Sequence, residues 1–221
     1  MSLPIAVGWA ALGGLGGLLV GQACLLLEGI LGAMDPDEPQ GRSWIEIALL
    51  PVLGGLGFLM FALRHGMDSG LLVHSFWILV LLQVLGFDLK HRLILDWVTL
   101  PSMAVALALA SFSPHLTLFR ALFGILVGGG ALLPLAVVSS LLHQGQGFGW
   151  GDVKLGMVIG AITGMSFSLG GLYALWALIA GSLIGGVITL ALLVSRRLGL
   201  RDAVPYGPFL VLGCGLILYF M

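Results

Sequence analysis

The chain has 221 residues, of which 59% are hydrophobic and only 9% carry a formal charge. Soluble domains are about 25% charged, and so few charged side chains could not cover a globule of this size, whereas a bilayer tolerates such a sequence. The net charge of −1 argues against a nucleic-acid partner, because nothing here neutralises a phosphate backbone. Cys24 and Cys214 lie in apolar runs and predict neither a disulfide framework nor a metal site.

Charge-free runs supply most of the boundaries of eight predicted membrane-spanning helices, since about 20 apolar residues cross a bilayer. In chain order they are residues 1–27, 44–63, 70–87, 97–112, 117–142, 152–169, 172–194 and 207–220. The polar stretch 35–42 and residues 113–115 are predicted breaks. Residues 155–195 hold no charge and are twice as long as one span, so Gly170 and Gly171 are taken to separate the sixth and seventh helices.

The predicted fold class is an all-α, polytopic membrane helix bundle that forms a single membrane domain over residues 1–221. Residues 1–43 would supply the first span and a short cytoplasmic loop, and residues 44–221 the functional core. With eight spans, seven of the nine lysines and arginines fall on one side, and this positive-inside tendency places that side in the cytoplasm. These seven residues are Arg42, Lys90, Arg92, Lys154, Arg196, Arg197 and Arg201.

Glycines recur at four-residue spacing within three of the predicted helices. They are Gly13, Gly17 and Gly21, then Gly156, Gly160 and Gly164, and finally Gly181 and Gly185. This spacing places each set on one helix face, where missing side chains allow two backbones to approach closely. The pattern therefore predicts tight helix packing.

Two acidic residues at the predicted cytoplasmic face have similar surroundings. Asp88 follows the third span in an Asp-Leu-Lys sequence, and Asp152 begins the sixth span in an Asp-Val-Lys sequence. Ionisable groups at membrane depth are costly and therefore suggest a function. Two carboxylates held close together share one proton, so that one can take a proton from water while the other donates to a carbonyl oxygen. Such a pair predicts hydrolysis of a peptide bond without a metal or a covalent intermediate.

Simpler roles stay open for these charged residues. Asp88 could end a helix among solvated charges, and Asp152 could be the N-cap of the sixth helix. Asp96 is predicted to cap the fourth helix. Lys90 and Lys154 could be cytoplasmic anchors, or could favour ionisation of the neighbouring carboxylate. Near the end of the first span, Glu28 is expected to reach the membrane interface.

Three glycines at alternate positions, Gly147, Gly149 and Gly151, directly precede Asp152. Glycine adopts backbone angles that other residues cannot, and it leaves room for an approaching peptide. A dinucleotide-binding loop would need a preceding strand and a βαβ unit, and neither is predicted here. The glycines therefore predict an open approach to the carboxylate.

Three segments together resemble the type IV prepilin peptidases. Residues 149–155, Gly-Trp-Gly-Asp-Val-Lys-Leu, resemble the GxGD-x-K-L motif of that family. Residues 87–101 resemble its other acidic segment, an aspartate followed by a loop and a Thr-Leu-Pro helix start, and residues 204–210 are similar to its Pro-Phe-Gly-Pro element. The motifs agree in order and in predicted membrane side, and the resemblance covers the chain from about Ser43 to its end.

The resemblance implies a GxGD membrane aspartic protease in which Asp88 and Asp152 are the catalytic aspartates. Residues implied to bind substrate or shape the site are Gly149, Gly151, Lys154, Pro205, Gly207 and Pro208. Family members cut the basic leader from type IV prepilins and pseudopilins at the cytoplasmic face of the bacterial inner membrane. The implied partners are therefore a prepilin or pseudopilin with a hydrophobic N-terminal helix, and the lipid bilayer.

The chain departs from the family between its first two spans. Many members carry there a large cytoplasmic insert with two CxxC pairs, and they methylate the new N-terminus of the product with S-adenosylmethionine. Here that loop is only about ten residues long and holds no cysteine. The chain thus resembles a short form, with no metal and no cofactor implied for proteolysis. S-adenosylmethionine would serve only if methyl transfer were retained.

Three alternatives remain beside this interpretation. Another GxGD intramembrane protease of the presenilin or signal peptide peptidase type would carry a Pro-Ala-Leu element, where this chain has Pro-Tyr-Gly-Pro at residues 205–208. A small ion-coupled transporter would place its acids near the midplane and show an internal repeat. A structural assembly subunit would have the fold without the activity.

Overall fold

A computed structural model describes residues 3–32, 43–66, 68–110, 116–143, 148–166, 171–197 and 204–221, and over these residues it holds helices and no strand. The chain forms two compact units, Met1–His91 and Arg92–Met221. The single membrane domain expected from the sequence stays a prediction. The predicted breaks at 35–42 and 113–115, and the residues Arg42, Gly147, Gly170 and Arg201, lie outside the described residues.

The described part of the first unit holds three helices, α1 (Leu3–Gly32), α2 (Leu50–His65) and α3 (Ser69–His91), and the π-helical turn Ile45–Leu49 leads directly into α2. Helices α1 and α2 pack backbone to backbone at the predicted glycine face. A Cβ on Gly13 would collide with the carbonyl oxygen of Gly54, and one on Gly17 with that of Leu50. The predicted role of these glycines in helix packing is therefore confirmed.

The second unit holds five described helices, namely α4 (Asp96–Leu109), α5 (Leu118–His143), α6 (Trp150–Thr163), α7 (Tyr173–Val194) and α8 (Gly207–Phe220). Helix α6 contacts each of the other four, and most of its residues are buried. Its glycines face α5, where Gly156 and Gly160 approach the carbonyl oxygens of Gly128 and Gly124. Asp152 and Lys154 are therefore carried by the central helix of this unit.

Helices α6, α1 and α3 end at other residues than predicted. Helix α6 ends at Thr163, well before residue 169, because Gly164 leaves the helical conformation, with φ of +70° and ψ of 171°. Helices α1 and α3 instead continue one turn beyond their predicted ends. As a result Glu28 and Asp88 lie inside helices, although the spans predicted from charge-free runs stop just before them.

Among the described residues, five segments are long and apolar enough to cross a membrane, and they are Leu3–Leu31, Ile45–His65, Gly70–His91, Leu118–Leu141 and Tyr173–Val194. Helices α4, α6 and α8 have 14 residues each, about 21 Å at 1.5 Å per residue, which is shorter than a bilayer core of about 30 Å. The protein is a multi-pass membrane protein. Its predicted fold class, an all-α polytopic membrane helix bundle, is confirmed.

Candidate active site

Asp88 lies in the last turn of α3, where only 4% of the residue is exposed. Two residues earlier, Gly86 lacks a side chain at a position where a Cβ would lie 2.9 Å from Leu50 Cδ1 and 3.5 Å from Cys24 Sγ. Helix α3 therefore packs closely on its neighbours just before the aspartate. The simpler interpretation of Asp88, a helix end among solvated charges, is wrong because its side chain is enclosed.

A cluster of four ionisable side chains, called here the Lys90 cluster, surrounds the end of α3. Lys90 Nζ lies 2.7 Å from Glu28 Oε1 and 3.0 Å from Glu46 Oε1. His91 Nε2 lies 3.0 Å from the same Glu28 oxygen, and the Ser43 hydroxyl donates to Glu46 Oε2 at 2.6 Å. The Lys90 cluster thus joins α1, the π-helical turn and α3 through charged groups.

Both glutamates of the Lys90 cluster are about 3% exposed. Buried charges are tolerated when they are paired and hydrogen-bonded, so the lysine and the glutamates stabilise one another. Glu28 is enclosed by Lys90 and His91, and the expectation that it reaches the membrane interface stays a prediction. Lys90 is not a surface anchor, because its ammonium group is held between two carboxylates. The sequence pattern did not single out Glu46, although an acid inside a long apolar run is itself a signal.

Asp152 lies in the first turn of α6 and is 8% exposed. It is not the N-cap, as the simpler interpretation has it, because Gly149 holds that position. The Gly149 N–H donates to Asp152 Oδ2 at 2.9 Å, and the Asp152 N–H donates to the Gly149 carbonyl at 3.2 Å. Asp152 lies outside the five long apolar segments, and burial raises the pKa of its carboxyl group while the Gly149 hydrogen bond opposes that shift.

The two described glycines before Asp152 have different surroundings. A Cβ on Gly149 would meet only ordinary contacts, the nearest being Asp152 Oδ2 at 3.8 Å, and its φ of −101° is open to any residue. A Cβ on Gly151 would lie 3.0 Å from the Cβ of Ile94. Packing therefore favours glycine at 151, whereas glycine at 149 leaves an open space beside the carboxylate.

Lys154 does not contact Asp152. Its Nζ donates to both carboxylate oxygens of Asp96, at 2.6 and 2.7 Å. The interpretation that Lys154 favours ionisation of Asp152 gains no support, since burial raises the pKa of Asp152 and the Gly149 hydrogen bond, not Lys154, is what opposes that shift. The prediction that Asp96 caps α4 is wrong, because Leu95 is the N-cap and no side chain makes a capping hydrogen bond there.

The predicted Pro-Tyr-Gly-Pro element lies at the start of α8. Pro208 occupies the first turn of the helix, where proline is tolerated, and Gly207 is buried beside it. Between them and Pro205, Tyr206 donates a hydrogen bond from its hydroxyl to Ser182 Oγ of α7 at 2.6 Å. The same ring packs edge-on against Phe148, with centroids 5.2 Å apart. The element therefore contacts the residue directly before Gly149.

The predicted site residues thus fall into two groups. The second unit brings together the start of α6, Asp96 and the element at residues 205–208. Asp88 belongs to the first unit, and its pairing with Asp152 stays a prediction. Within the part of the chain that the structure describes, no three histidine, cysteine, aspartate or glutamate side chains are grouped so that they could hold a metal ion.

Residues 73–202 match the model of the type IV leader peptidase family, and this match includes both Asp88 and Asp152. The chain is 26% identical over 156 residues to the prepilin leader peptidase/N-methyltransferase of Stutzerimonas stutzeri, covering 71% of this chain and 51% of that protein. It is 29% identical over 140 residues to the protein of the same name from Xanthomonas campestris, covering 63% and 46%. It is 30% identical over 131 residues to the leader peptidase HopD of Escherichia coli, covering 58% and 81%.

The chain spans about half the length of the first two of these relatives. No solved structure matches it. Its match to the family model extends from within α3 to beyond α7, which is more than half of the chain. The chain belongs to the type IV leader peptidase family.

Proposed function

We propose that this protein is a membrane aspartic endopeptidase that cleaves the leader peptide of type IV prepilins or pseudopilins, with Asp88 and Asp152 activating water. The observation that carries the proposal is that both aspartates are buried and both lie within the region matched by the leader peptidase family. That match favours this activity over another GxGD protease and over an ion-coupled transporter. An assembly subunit without activity would have no use for two buried carboxylates.

In the proposed reaction one aspartate is ionised and the other protonated. The ionised carboxylate takes a proton from water, whose oxygen attacks the scissile carbonyl carbon, and the protonated carboxyl donates to the carbonyl oxygen. The resulting tetrahedral intermediate collapses as its C–N bond breaks and a proton passes to the leaving amine. Burial raises the pKa of Asp152, which suits that residue to the protonated role. No metal or cofactor takes part in these steps.

The open space at Gly149 supports an approach of the peptide beside the Asp152 carboxylate. A peptide bond inside a helix is already hydrogen-bonded and shielded, so the substrate helix would have to unwind near the site. The excess of lysine and arginine on one predicted side supports a site at the cytoplasmic face of the bacterial inner membrane.

Cleavage of a purified prepilin by the purified protein tests the proposal. The wild-type chain should shorten the prepilin, while Asp88→Asn and Asp152→Asn should each leave it intact, since neutral amides cannot exchange the proton. Asp68→Asn is the matched control, because Asp68 is an exposed aspartate outside the proposed site. Near-normal cleavage by either Asp88→Asn or Asp152→Asn would show that the two aspartates are not the catalytic pair.

We propose that cleavage needs no cofactor and that S-adenosylmethionine would be used only for a retained methyl transfer. The support is the short loop between the first two spans, which has no cysteine. Incubation of the protein and its cleaved product with labelled S-adenosylmethionine tests whether methyl transfer is retained. Labelled product would show that methyl transfer does not depend on the larger insert of the longer family members.

A further inference from the structure

The segment directly before α4 contacts the start of α6 at two points within the second unit. Ile94 lies against Gly151. A Cβ on that glycine would lie 3.0 Å from the Cβ of Ile94, so one of the two segments would have to shift. Two residues later, both carboxylate oxygens of Asp96 accept hydrogen bonds from Lys154 Nζ. An apolar contact and an ion pair therefore hold the same helical turn, and that turn carries Asp152.

The ion pair also sets the direction of Lys154. Residues two apart in a helix do not face each other, so Lys154 points away from Asp152. Asp96 receives it at the first turn of α4, where a carboxylate is itself favoured by the unsatisfied N–H groups of the helix end. Lys154 is therefore held by a partner other than the carboxylate that it neighbours in sequence.

We propose that Asp96 is a positioning residue for the cleavage reaction: by holding Lys154 it fixes the first turn of α6, and so the direction of the Asp152 carboxylate. The same contact keeps the Lys154 cation away from Asp152. This inference rests on the proposed function, and it assigns to Asp96 and Lys154 an action through Asp152, not a contact with the substrate.

If the Asp96–Lys154 pair had only a structural role, its loss would change the stability of the protein only slightly. The two side chains are 35% and 50% exposed, and exposed ion pairs contribute little to stability because water screens them. Breaking the pair should therefore leave the fold intact. A loss of turnover without a loss of stability would then report on the geometry of Asp152.

The test compares Asp96→Asn, Lys154→Met and the charge-reversed double variant Asp96→Lys with Lys154→Asp, and Asp68→Asn serves as control. Each single variant should lower kcat for prepilin cleavage about tenfold, since displacement of a catalytic group by 1 Å can cost as much as about 100-fold. KM and the thermal unfolding midpoint should stay close to the wild-type values. The double variant should recover most of the lost kcat, because the reversed pair has the same combined length and the opposite polarity.

Wild-type kcat in both single variants would overturn the positioning role. A double variant as slow as the single ones would also overturn it, because Lys154 would then act by itself. If the unfolding midpoint of the single variants fell together with their kcat, the pair would be only a structural contact. Failure of the proposed function is distinguishable from all of these outcomes. It would show as cleavage by Asp152→Asn or as an inactive wild type, and an inactive wild type would overturn the positioning role as well.

Discussion

Lys90 and Lys154 each lie two residues after a buried aspartate, yet they occur in opposite surroundings. Lys90 is enclosed by helices of the first unit, with its ammonium group between two glutamates that are almost fully buried. Lys154 is at the surface of the second unit and pairs with a half-exposed aspartate. The same Asp-x-Lys pattern therefore supports two different roles, a buried counter-ion in the first unit and a surface contact in the second.

Removal of the buried lysine should have the largest effect. Lys90→Met leaves two buried carboxylates without their cation, and breaking a buried pair costs about 3–5 kcal/mol. We expect a strong fall in the free energy of unfolding, measured by urea denaturation of the protein in detergent. Adding Glu28→Gln and Glu46→Gln to Lys90→Met should restore much of that loss, because no uncompensated charge is left. If the Lys90→Met protein were as stable as wild type, Lys90 would not be the buried counter-ion that distinguishes it from the exposed Lys154.

Glycines before the two aspartates sharpen the same contrast. Gly86→Ala places a Cβ 2.9 Å from Leu50 Cδ1, and Gly151→Ala places one 3.0 Å from the Cβ of Ile94. Overpacking of this kind costs about 1–3 kcal/mol, so both variants should show a lower thermal unfolding midpoint. Gly86→Ala should be the more destabilising because its neighbourhood is enclosed. The reverse order would mean that the surface segment at Ile94 is the more rigid of the two.

Gly149→Ala should separate substrate access from packing. The Cβ has room at this position, so the free energy of unfolding should stay within about 0.5 kcal/mol of wild type, as for most surface changes. Cleavage should nevertheless slow, because the methyl group would occupy the space beside the Asp152 carboxylate. Measurement of kcat/KM and of the unfolding midpoint on the same preparation checks this. Unchanged kcat/KM would show that the peptide does not approach from this side.

Lys154→Met should have the smallest effect on stability, about 0–1 kcal/mol, because its ion pair with Asp96 is exposed to water. Urea denaturation of this variant beside Lys90→Met gives the direct comparison of the two lysines. A loss as large as that of Lys90→Met would show that the surface pair is as important to the fold as the buried one.

Much of the fold could be predicted because charge-free runs and glycine spacing are local properties of the sequence. The eight helices of the described residues and the helix-packing role of Gly13 and Gly17 follow from them directly. The early end of α6 could not be predicted in this way. Gly164 stops the helix by adopting a positive φ, and an apolar run that continues past it gives no sign of that conformation.

The sequence by itself determined that this is a helical membrane protein with two acidic residues in a leader peptidase pattern, because hydropathy, charge scarcity and motif spacing are carried along the chain. Only the tertiary structure decided the partners of the charged residues. Lys90 binds Glu28 and Glu46, and Lys154 binds Asp96, across sequence separations of tens of residues. Which helix ends meet depends on packing, and an ionisable side chain at a helix end binds whichever opposite charge that packing brings within reach.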